Sequence, residues 1–344
     1  MTPRHPFPLV PCYSTLEIPV AARGESGAAR RAAVAWAREA HLDEATAATV
    51  ALIASELATN LELHTTNGGR LLLRRSPGSD GYGASILAID RGPGRENFSL
   101  CMRDGYSTAG TAGIGLGAVR RLASHFDVHS LAGAGTVVHA AVEPAGHPAN
   151  ESPVGAVSVA LHGQVACGDS WAVMTGQGWA RCLVADGLGH GPMAAEASHL
   201  AREIFLSHPQ LGLIDLLQRM HVQLRTTRGA AAAVAHLDHR LGRLYFAGIG
   251  NIAGSIVSDD GIQSLVSHNG TLGGSMPGNP RQFEHPWRRG STLIMHSDGI
   301  RPQWQMREVP GLWNRHPEVV AGVLFRDHAR PTDDATVLVH RPLP

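Results

Sequence analysis

Hydrophobic and polar positions in the first 142 residues follow an order that is typical of a mixed α+β domain. Apolar residues recur at helical spacing in two consecutive Ala-rich segments, and short apolar runs precede and follow these segments. The pattern predicts strands at 16–20, 69–74 and 85–90, helices at 28–41 and 44–63, and a glycine-rich helical segment at 113–126 that is followed by two more strands. This order differs from the strict strand–helix alternation of a dinucleotide-binding sheet.

Short apolar runs dominate the pattern after residue 153, with two helical segments among them. The predicted strands are 154–161, 171–175, 180–185, 230–237, 243–248, 252–257, 292–296 and 335–340, and the predicted helices are 193–206 and 213–224. This order fits two packed sheets flanked by helices. Three prolines within 143–153 interrupt both helix and strand, so we predict domains at 8–142 and 154–342 that are joined by a linker at 143–153.

Composition narrows the classes of function. The chain has 344 residues, of which 43% are hydrophobic and 17% are charged, and this suits two folded domains. Its 29 basic residues are all arginine and balance 29 acidic residues, so the sequence supports neither a nucleic-acid surface nor lysine chemistry. No apolar run is long enough to span a membrane, and the four cysteines lack CxxC spacing. We therefore expect a cytoplasmic protein with reduced thiols and no membrane partner.

Polar residues at helical spacing mark a first candidate site. Glu56, Asn60 and His64 are four residues apart and share one face of the second predicted helix. Alone, this pattern is typical of a solvated helix face. It is followed by Asp90 in the sequence DRGPG at a strand end, and then by GTAGIGLG at a helix start. A carboxylate at a strand end can accept a hydrogen bond from an exocyclic amine, and a glycine-rich helix start can present amides to phosphates.

This order of motifs resembles the GHKL ATP-binding fold, and most closely the anti-sigma-factor serine kinases and switch kinases of bacterial stress signalling. The resemblance covers roughly residues 8–142 and implies a Bergerat α/β sandwich that binds ATP and Mg²⁺. It implies that Glu56 is the general base and that Asn60 holds Mg²⁺. The residues to which it assigns nucleotide contacts are Asn60, His64, Asp90, Gly92, Gly94, Gly113, Gly115, Gly117 and Thr136. We reject a sensor histidine kinase, because the 55 residues before Glu56 are accounted for by the fold and leave no phosphorylatable-His hairpin.

Acidic residues beside glycine mark a second candidate site. They occur in GDS at 168–170, DGLGHG at 186–191, SDG at 297–299 and DDAT at 333–336, each next to a predicted strand. A single Asp-Gly is usually a turn, but carboxylates that project together from strand ends form an oxygen site suited to Mg²⁺ or Mn²⁺. Two such ions can activate a water for attack on phosphorus. We interpret His190 as a surface loop residue.

The order of these acidic motifs resembles the metal-dependent PPM serine/threonine phosphatases, nearest to the SpoIIE-like branch. The resemblance covers about residues 154–342 and implies a β-sandwich flanked by helices. The metal ligands that it implies are Asp169, Asp186, Gly187 through its carbonyl, Asp298 and Asp333. Asp334 stands where many relatives have Asn, and we find no counterpart of the phosphate-binding arginine of eukaryotic relatives.

Together the two resemblances predict a two-domain α+β regulator in which a switch kinase is fused to the phosphatase that opposes it. The expected partner is a STAS-type scaffold or anti-anti-sigma protein, which one half phosphorylates on Ser or Thr and the other dephosphorylates. Two alternatives stay open. The N-terminal half could be a nucleotide-dependent binding module, or the C-terminal half could be a degenerate docking scaffold. A homodimer also stays open.

Overall fold

The computed structural model describes residues 9–11, 15–21, 24–65, 68–77, 82–95, 115–144, 152–304 and 309–342. The chain forms two compact units. The N-terminal unit comprises Tyr13–Ser152 together with Val309–Arg326, and the C-terminal unit comprises Met1–Cys12, Pro153–Glu308 and Asp327–Pro344. Each unit therefore includes a segment that is distant in sequence from the rest of it.

The first strand, β1 (Leu9–Pro11), belongs to the C-terminal unit, and the N-terminal unit begins with β2. The strands of the N-terminal unit are β2 (Leu16–Val20), β3 (Gly69–Pro77), β4 (Tyr82–Asp90), β5 (His125–Leu131) and β6 (Gly135–Val142). Its first three helices are α1 (Ser26–Glu39), α2 (Glu44–His64) and α3 (Gly115–Leu122). The strands form one antiparallel sheet in the order β2-β3-β4-β6-β5.

The helix predicted to extend to residue 126 is shorter in the structure. It ends at Leu122, because His125 and Phe126 pair with Ala141 and Ala140 as the start of β5. The other predicted helices and strands of this half are present, with ends that differ by a few residues.

Helices α1 to α3 cover one face of the sheet. Leu71 and Leu73 of β3 point into the core beneath these helices, together with Leu57 of α2. Alternate residues of a strand face opposite sides of a sheet, so Arg70 and Arg74 point the other way. The second face therefore needs a covering of its own, which the segment Val309–Arg326 supplies.

The C-terminal unit contains two sheets. Its remaining strands are β7 (Val154–Val159), β8 (Asp169–Gly176), β9 (Trp179–Gly187), β10 (Ala230–Asp238), β11 (Arg243–Ile249), β12 (Ala253–Ser258), β13 (Gly261–Leu265), β14 (Phe283–Pro286), β15 (Thr292–His296) and β16 (Ala335–His340). The helices of this unit are α4 (Pro192–Ser207) and α5 (Leu213–Gln223). The last helix of the chain, α6 (Pro317–His328), belongs to the N-terminal unit as far as Arg326. The strand orders are β1-β8-β9-β10-β11-β14 and β13-β12-β15-β16-β7.

Strand β8 shows why the sequence of this unit reads as continuous apolar runs. Trp171 and Val173 pack into the core between the two sheets, whereas Ala172 and Met174 pack into a second core beneath α4 and α5. Because both faces of the six-stranded sheet are buried, both sets of alternating positions are apolar.

The segment Val309–Arg326 packs against the N-terminal sheet. Glu318 forms a buried ion pair with Arg74, and Phe325 lies under the guanidinium of Arg70, whose carbon is 5.6 Å from the ring centroid. A Cβ added to Gly322 would lie 2.8 Å from Val137, so glycine permits a close approach of α6 to the sheet. The sequence pattern did not lead us to predict α6.

No helix in the described part of the chain has the length and hydropathy needed to cross a membrane.

Candidate functional site

Helix α2 positions the first group of predicted residues. Leu57 and Leu61 are buried on its inner face and fix the helix to the sheet. Glu56 and Asn60 are partly buried on another face, and His64 is exposed at the last turn. The Nδ2 atom of Asn60 is buried and has no hydrogen-bond partner among the described residues. A buried amide donor without a partner is costly, which favours a ligand at this position.

The start of α3 lies directly beside this polar face. A Cβ added to Gly115 would be 3.3 Å from Oδ1 of Asn60 and 3.5 Å from Oε2 of Glu56. Glycine at this position therefore keeps space open next to both side chains. Gly117 is buried in the same helix. The predicted contact residue Gly113 lies outside the described residues, as does the segment 102–108 that resembles an ATP lid.

Asp90 ends β4 with its carboxylate held by two backbone amides. Its Oδ1 accepts hydrogen bonds from the amides of Gly92 at 2.7 Å and Thr136 at 3.2 Å. Burial raises the pKa of Asp90, and these two hydrogen bonds oppose that shift. Since both amides bind Oδ1 and no hydrogen bond to Oδ2 is found within the described ranges, the second oxygen can accept a hydrogen bond from an amine.

Two glycines allow the backbone to close tightly around Asp90. Gly94 has a φ of +61° and Gly135 has a φ of +92°, a region that favours glycine. A Cβ added to Gly94 would lie 1.9 Å from the carbonyl oxygen of Leu131, and one added to Gly135 would lie 2.2 Å from that of Asp90. These positions cannot accept a larger residue without movement of the backbone.

The C-terminal unit brings together four of the predicted carboxylates. Asp169 and Asp186 are direct cross-strand partners in β8 and β9. Asp298 follows β15 and Asp333 precedes β16, so the other two come from the second sheet. Burial raises the pKa of Asp186, and the charges of Asp169, Asp298 and Asp333 raise it further. Burial likewise raises the pKa of Asp169.

Neutral side chains orient two of these carboxylates. The hydroxyl of Ser297 donates to Oδ2 of Asp169 at 2.6 Å and accepts from the amide of Thr336 at 3.0 Å. The Nδ2 of Asn251 donates to Oδ2 of Asp298 at 2.7 Å. The other oxygen of Asp169, Oδ1, is buried and has no hydrogen-bond partner in the described part of the chain. Ser297 and Asn251 were not among the predicted site residues, although Ser297 lies in the SDG motif at 297–299.

The neighbours Asp333 and Asp334 differ in their surroundings. Asp334 is buried, and its two oxygens accept from the amides of Leu161 at 2.7 Å and Gly168 at 3.0 Å. It therefore holds the backbone immediately before Asp169. Asp333 is half-buried, and burial followed by the charge of Asp298 raises its pKa. The charges of both residues raise the pKa of Asp169, but the two oxygens of Asp334 are already engaged by backbone amides.

The loop after Asp186 depends on glycine. A Cβ added to Gly187 would lie 1.9 Å from the carbonyl oxygen of Ala194 in α4, so helix and strand end are in direct backbone contact. Gly189 has a φ of +88°. His190 is exposed, as expected for a surface loop residue.

Sequence reasoning missed Arg228, which lies beside this loop. A Cβ added to Gly189 would be 3.1 Å from Nη1 of Arg228. Arg228 precedes β10, whose residue Ala231 pairs with Asp186. The guanidinium is exposed and forms no ion pair within the residues that the structure describes. Only the pairing of β9 with β10 reveals this neighbour, because no local pattern in the sequence marks it.

The residues present fit the groups that the resemblances imply. The clustered carboxylates, with pKa values raised at Asp169, Asp186 and Asp333, are suited to hard divalent cations, as is the buried Oδ1 of Asp169, which has no partner among the described residues. The unpartnered amide of Asn60, the space beside Gly115 and the second oxygen of Asp90 suit a nucleotide with its Mg²⁺.

Comparisons with known proteins match the two halves of the chain to different families. Residues 20–142 match the family of the histidine kinase-like ATPase domain. Residues 176–342 match the family of stage II sporulation protein E, SpoIIE. The chain thus carries a GHKL-like, kinase-type ATPase domain followed by a PPM serine/threonine phosphatase domain of the SpoIIE type. The fold class and the family resemblance predicted from the motifs are confirmed.

Two Bacillus subtilis (strain 168) proteins resemble different parts of the chain. The serine/threonine-protein kinase RsbT is 38% identical over 86 residues, which are 25% of this chain and 64% of RsbT. The phosphoserine phosphatase RsbX is 25% identical over 141 residues, which are 40% of this chain and 69% of RsbX. A structure solved in a study of the bacterial stressosome, described there as a modular system adapted to control secondary messenger signalling, is 33% identical with a TM-score of 0.52. That match covers 55% of this chain and 98% of the solved chain.

Proposed function

We propose that the chain is a bifunctional partner-switching regulator. Its N-terminal domain transfers phosphate from ATP to a Ser or Thr of a STAS-type protein, and its C-terminal domain removes phosphate from the same class of protein. The main support for this proposal is the carboxylate cluster, in which Oδ1 of Asp169 is buried and has no partner among the described residues. Grouped and buried carboxylates destabilise a fold unless cations bind them, so the cluster favours a metal-binding function. The similarity to a kinase, RsbT, and to a phosphoserine phosphatase, RsbX, supports the pairing of activities.

In the phosphatase domain, Asp169, Asp186, Asp298, Asp333 and the carbonyl of Gly187 would hold Mn²⁺ or Mg²⁺. Such ions would lower the pKa of a bound water and neutralise charge on the substrate phosphate. Hydrolysis joins the water oxygen to phosphorus and breaks the bond from phosphorus to the seryl or threonyl oxygen, which takes up a proton.

Residues around the carboxylates have separate tasks in this proposal. Ser297 and Asn251 hold Asp169 and Asp298 in place by the hydrogen bonds described above. Arg228, which is exposed at the rim beside Gly189, binds the phosphate of the incoming protein. It would fill the role for which the sequence offered no candidate.

In the ATPase domain, the hydroxyl oxygen of the substrate Ser or Thr bonds to the γ-phosphorus of ATP, and Glu56 accepts the hydroxyl proton. The bond between the γ-phosphorus and the β–γ bridging oxygen breaks at the same time. Asn60 would hold Mg²⁺ through its side-chain oxygen, while Asp90 accepts a hydrogen bond from the adenine amine. The glycines at the start of α3 leave room for the phosphates beside Glu56 and Asn60.

Phosphate transfer in both directions tests this function. The purified chain is incubated with STAS proteins from the same genome, ATP and Mn²⁺, and phosphate on the STAS protein is followed over time. We expect phosphate to appear with ATP and to disappear when ATP is removed. ATP-dependent complex formation without transfer would instead show a binding module. Failure to dephosphorylate any phosphoserine protein with Mn²⁺ present would show that the C-terminal domain is a scaffold.

A further inference from the structure

Three histidines converge on the N-terminal sheet, away from the residues assigned to ATP. His125 lies at the start of β5, His139 lies in β6, and His316 immediately precedes α6. One nitrogen from each ring can be chosen so that all three lie within 4.8 Å of one another. The ring centroid of His316 is 4.5 Å from that of His125 and 4.7 Å from that of His139.

Two nitrogens in this cluster lack partners. Nε2 of His125 and Nδ1 of His139 are buried and accept or donate no hydrogen bond within the described residues. His139 is only 2% exposed, so water does not replace the missing partner at its surface. Buried ring nitrogens are normally hydrogen-bonded, so two unpartnered nitrogens within one cluster of three imidazoles favour a ligand there.

We infer that His125, His139 and His316 form a binding site for a divalent transition metal, with Zn²⁺ as the expected ion. Imidazole nitrogen is a preferred ligand for zinc, and three histidines with one further ligand complete a tetrahedral site. Zinc–nitrogen bonds of about 2.0–2.1 Å place the nitrogens roughly 3.4 Å apart, so the rings must close by at most about 1.4 Å.

Neighbouring groups support this assignment. The hydroxyl of Ser85 lies 3.2 Å from Nε2 of His139, so Nδ1 is the nitrogen of this ring that has no partner among the described residues. A hydrogen bond to the second ring nitrogen is a regular feature of histidines that bind metals. The nearby positive charge of Arg74 is offset by its buried ion pair with Glu318. Because this charge is compensated, Arg74 opposes the binding of a metal cation less than an unpaired guanidinium would.

Metal binding would change the start of α6. In the structure the amide of Glu318 donates to Nδ1 of His316 at 3.2 Å, so His316 caps the helix. A metal on Nδ1 takes the lone pair that accepts this bond, and a metal on Nε2 leaves the proton on Nδ1. In either case a metal bond replaces the cap. The site would then attach the segment Val309–Arg326 to β5 and β6 through ligands that are far apart in sequence.

Zinc binding to the full chain tests the inference. The experiment uses the metal-free Asp186→Asn chain with excess Mg²⁺, so that the carboxylate cluster does not take up the added ion. Zn²⁺ is titrated by calorimetry, and Co²⁺ is added in parallel because tetrahedral nitrogen-bound Co²⁺ absorbs much more strongly than octahedral oxygen-bound Co²⁺. We expect one equivalent of Zn²⁺ to bind and the intense Co²⁺ spectrum to appear.

His316→Asn in the same background is the decisive variant, since asparagine retains a helix cap but supplies no imidazole. It should weaken Zn²⁺ binding by about 100-fold or more, as should His139→Gln. His41→Asn is the matched control, because His41 is exposed with a φ of +54° that asparagine tolerates. Equal Zn²⁺ affinity in His316→Asn and the control, or an octahedral Co²⁺ spectrum, would overturn the site. Circular dichroism of each variant establishes that it is folded.

Discussion

The two candidate sites are assembled from the chain in different ways. Glu56, Asn60 and His64 follow one another along one face of α2, and the glycine at the start of α3 completes the group. The carboxylates of the C-terminal unit come instead from the ends of strands in two sheets, and Asp169 and Asp186 meet only through strand pairing. One site therefore depends on helical periodicity, and the other on the register and packing of sheets.

The difference has an electrostatic consequence. Burial raises the pKa of Asp186, and neighbouring carboxylates raise it further, so without a cation the cluster opposes folding. On α2 the polar group includes one carboxylate beside a neutral amide, and its main cost is the unpartnered amide of Asn60. Substitutions in the two sites should therefore affect activity and stability in different proportions.

The largest expected effect is on the phosphatase. Asp186→Asn and Asp298→Asn each replace a metal-binding carboxylate with a neutral amide, and should lower phosphoserine hydrolysis by roughly 10³-fold or more. Phosphate release from a phosphorylated STAS protein measures this. ATP binding should be unaffected, and Asp260→Asn, at an exposed turn, is the matched control. Activity that persists without any divalent ion would disprove the metal mechanism.

Glu56→Gln should separate binding from transfer in the other site. The amide keeps the shape of the side chain but cannot accept the hydroxyl proton, so transfer should fall about 10²–10⁴-fold while ATP still binds. Single-turnover transfer and calorimetry measure the two quantities. The exposed residue Glu39, changed to Gln, serves as control. Unchanged transfer would rule out a general-base role for Glu56.

Asn60→Ala should act on binding itself. Loss of a side-chain oxygen from the Mg²⁺ site costs about 1.5–3 kcal/mol, so the affinity for Mg·ATP should fall roughly 10- to 150-fold. Calorimetry with and without Mg²⁺ should show that the loss depends on the metal. Equal affinities for the variant and the original chain would contradict the assignment of Asn60.

Arg228→Ala should have a smaller effect, confined to the phosphatase. An exposed guanidinium that contacts the substrate phosphate contributes about 1–2 kcal/mol, so kcat/KM should fall roughly 5- to 30-fold, mainly through KM. Arg225→Ala, at a nearby exposed arginine, should leave the kinetics unchanged. A loss of kcat with constant KM would place Arg228 outside the substrate site.

The smallest effect should appear in stability. The folded state holds Asp186 with a raised pKa and so binds more protons than the unfolded state above about pH 4. The free energy of unfolding of the metal-free chain therefore falls as the pH rises from about 4 to about 9, where the raised pKa of Asp186 lies. Asp186→Asn lacks this penalty, so its melting temperature should exceed that of the original chain by an amount that grows with pH, about 2–4 °C for each kcal/mol.

Added Mn²⁺ should reverse that order, because it binds and stabilises the carboxylate cluster of the original chain more than that of the variant. Thermal unfolding in EDTA and in Mn²⁺ across about pH 5–8 measures both effects. If the melting temperature of Asp186→Asn in EDTA at high pH does not exceed that of the original chain, Asp186 is not held in a repulsive cluster.

The sequence by itself determined the local features of the molecule. Helical spacing placed Glu56, Asn60 and His64 on one face, and acidic residues beside glycine marked the strand ends that form the carboxylate cluster. These features depend on the repeat of a helix or strand over a few residues, which the sequence shows directly. Most element positions and the α+β class could therefore be predicted from local patterns, whereas the set of carboxylates in the cluster was implied by the resemblance of their motif order to a known family.

Only the tertiary structure decided which distant segments meet. Leu72 and Leu87 are buried on the second face of the N-terminal sheet, and this apolar face requires a cover. Nothing in their pattern shows that α6, more than 200 residues later, is that cover. The position of Arg228 beside Gly189 and the cluster around His316 likewise depend on contacts between segments that are distant in sequence, so only the tertiary structure shows them. Burial selects packing partners by complementary surfaces, and such contacts leave no periodic signal along the chain.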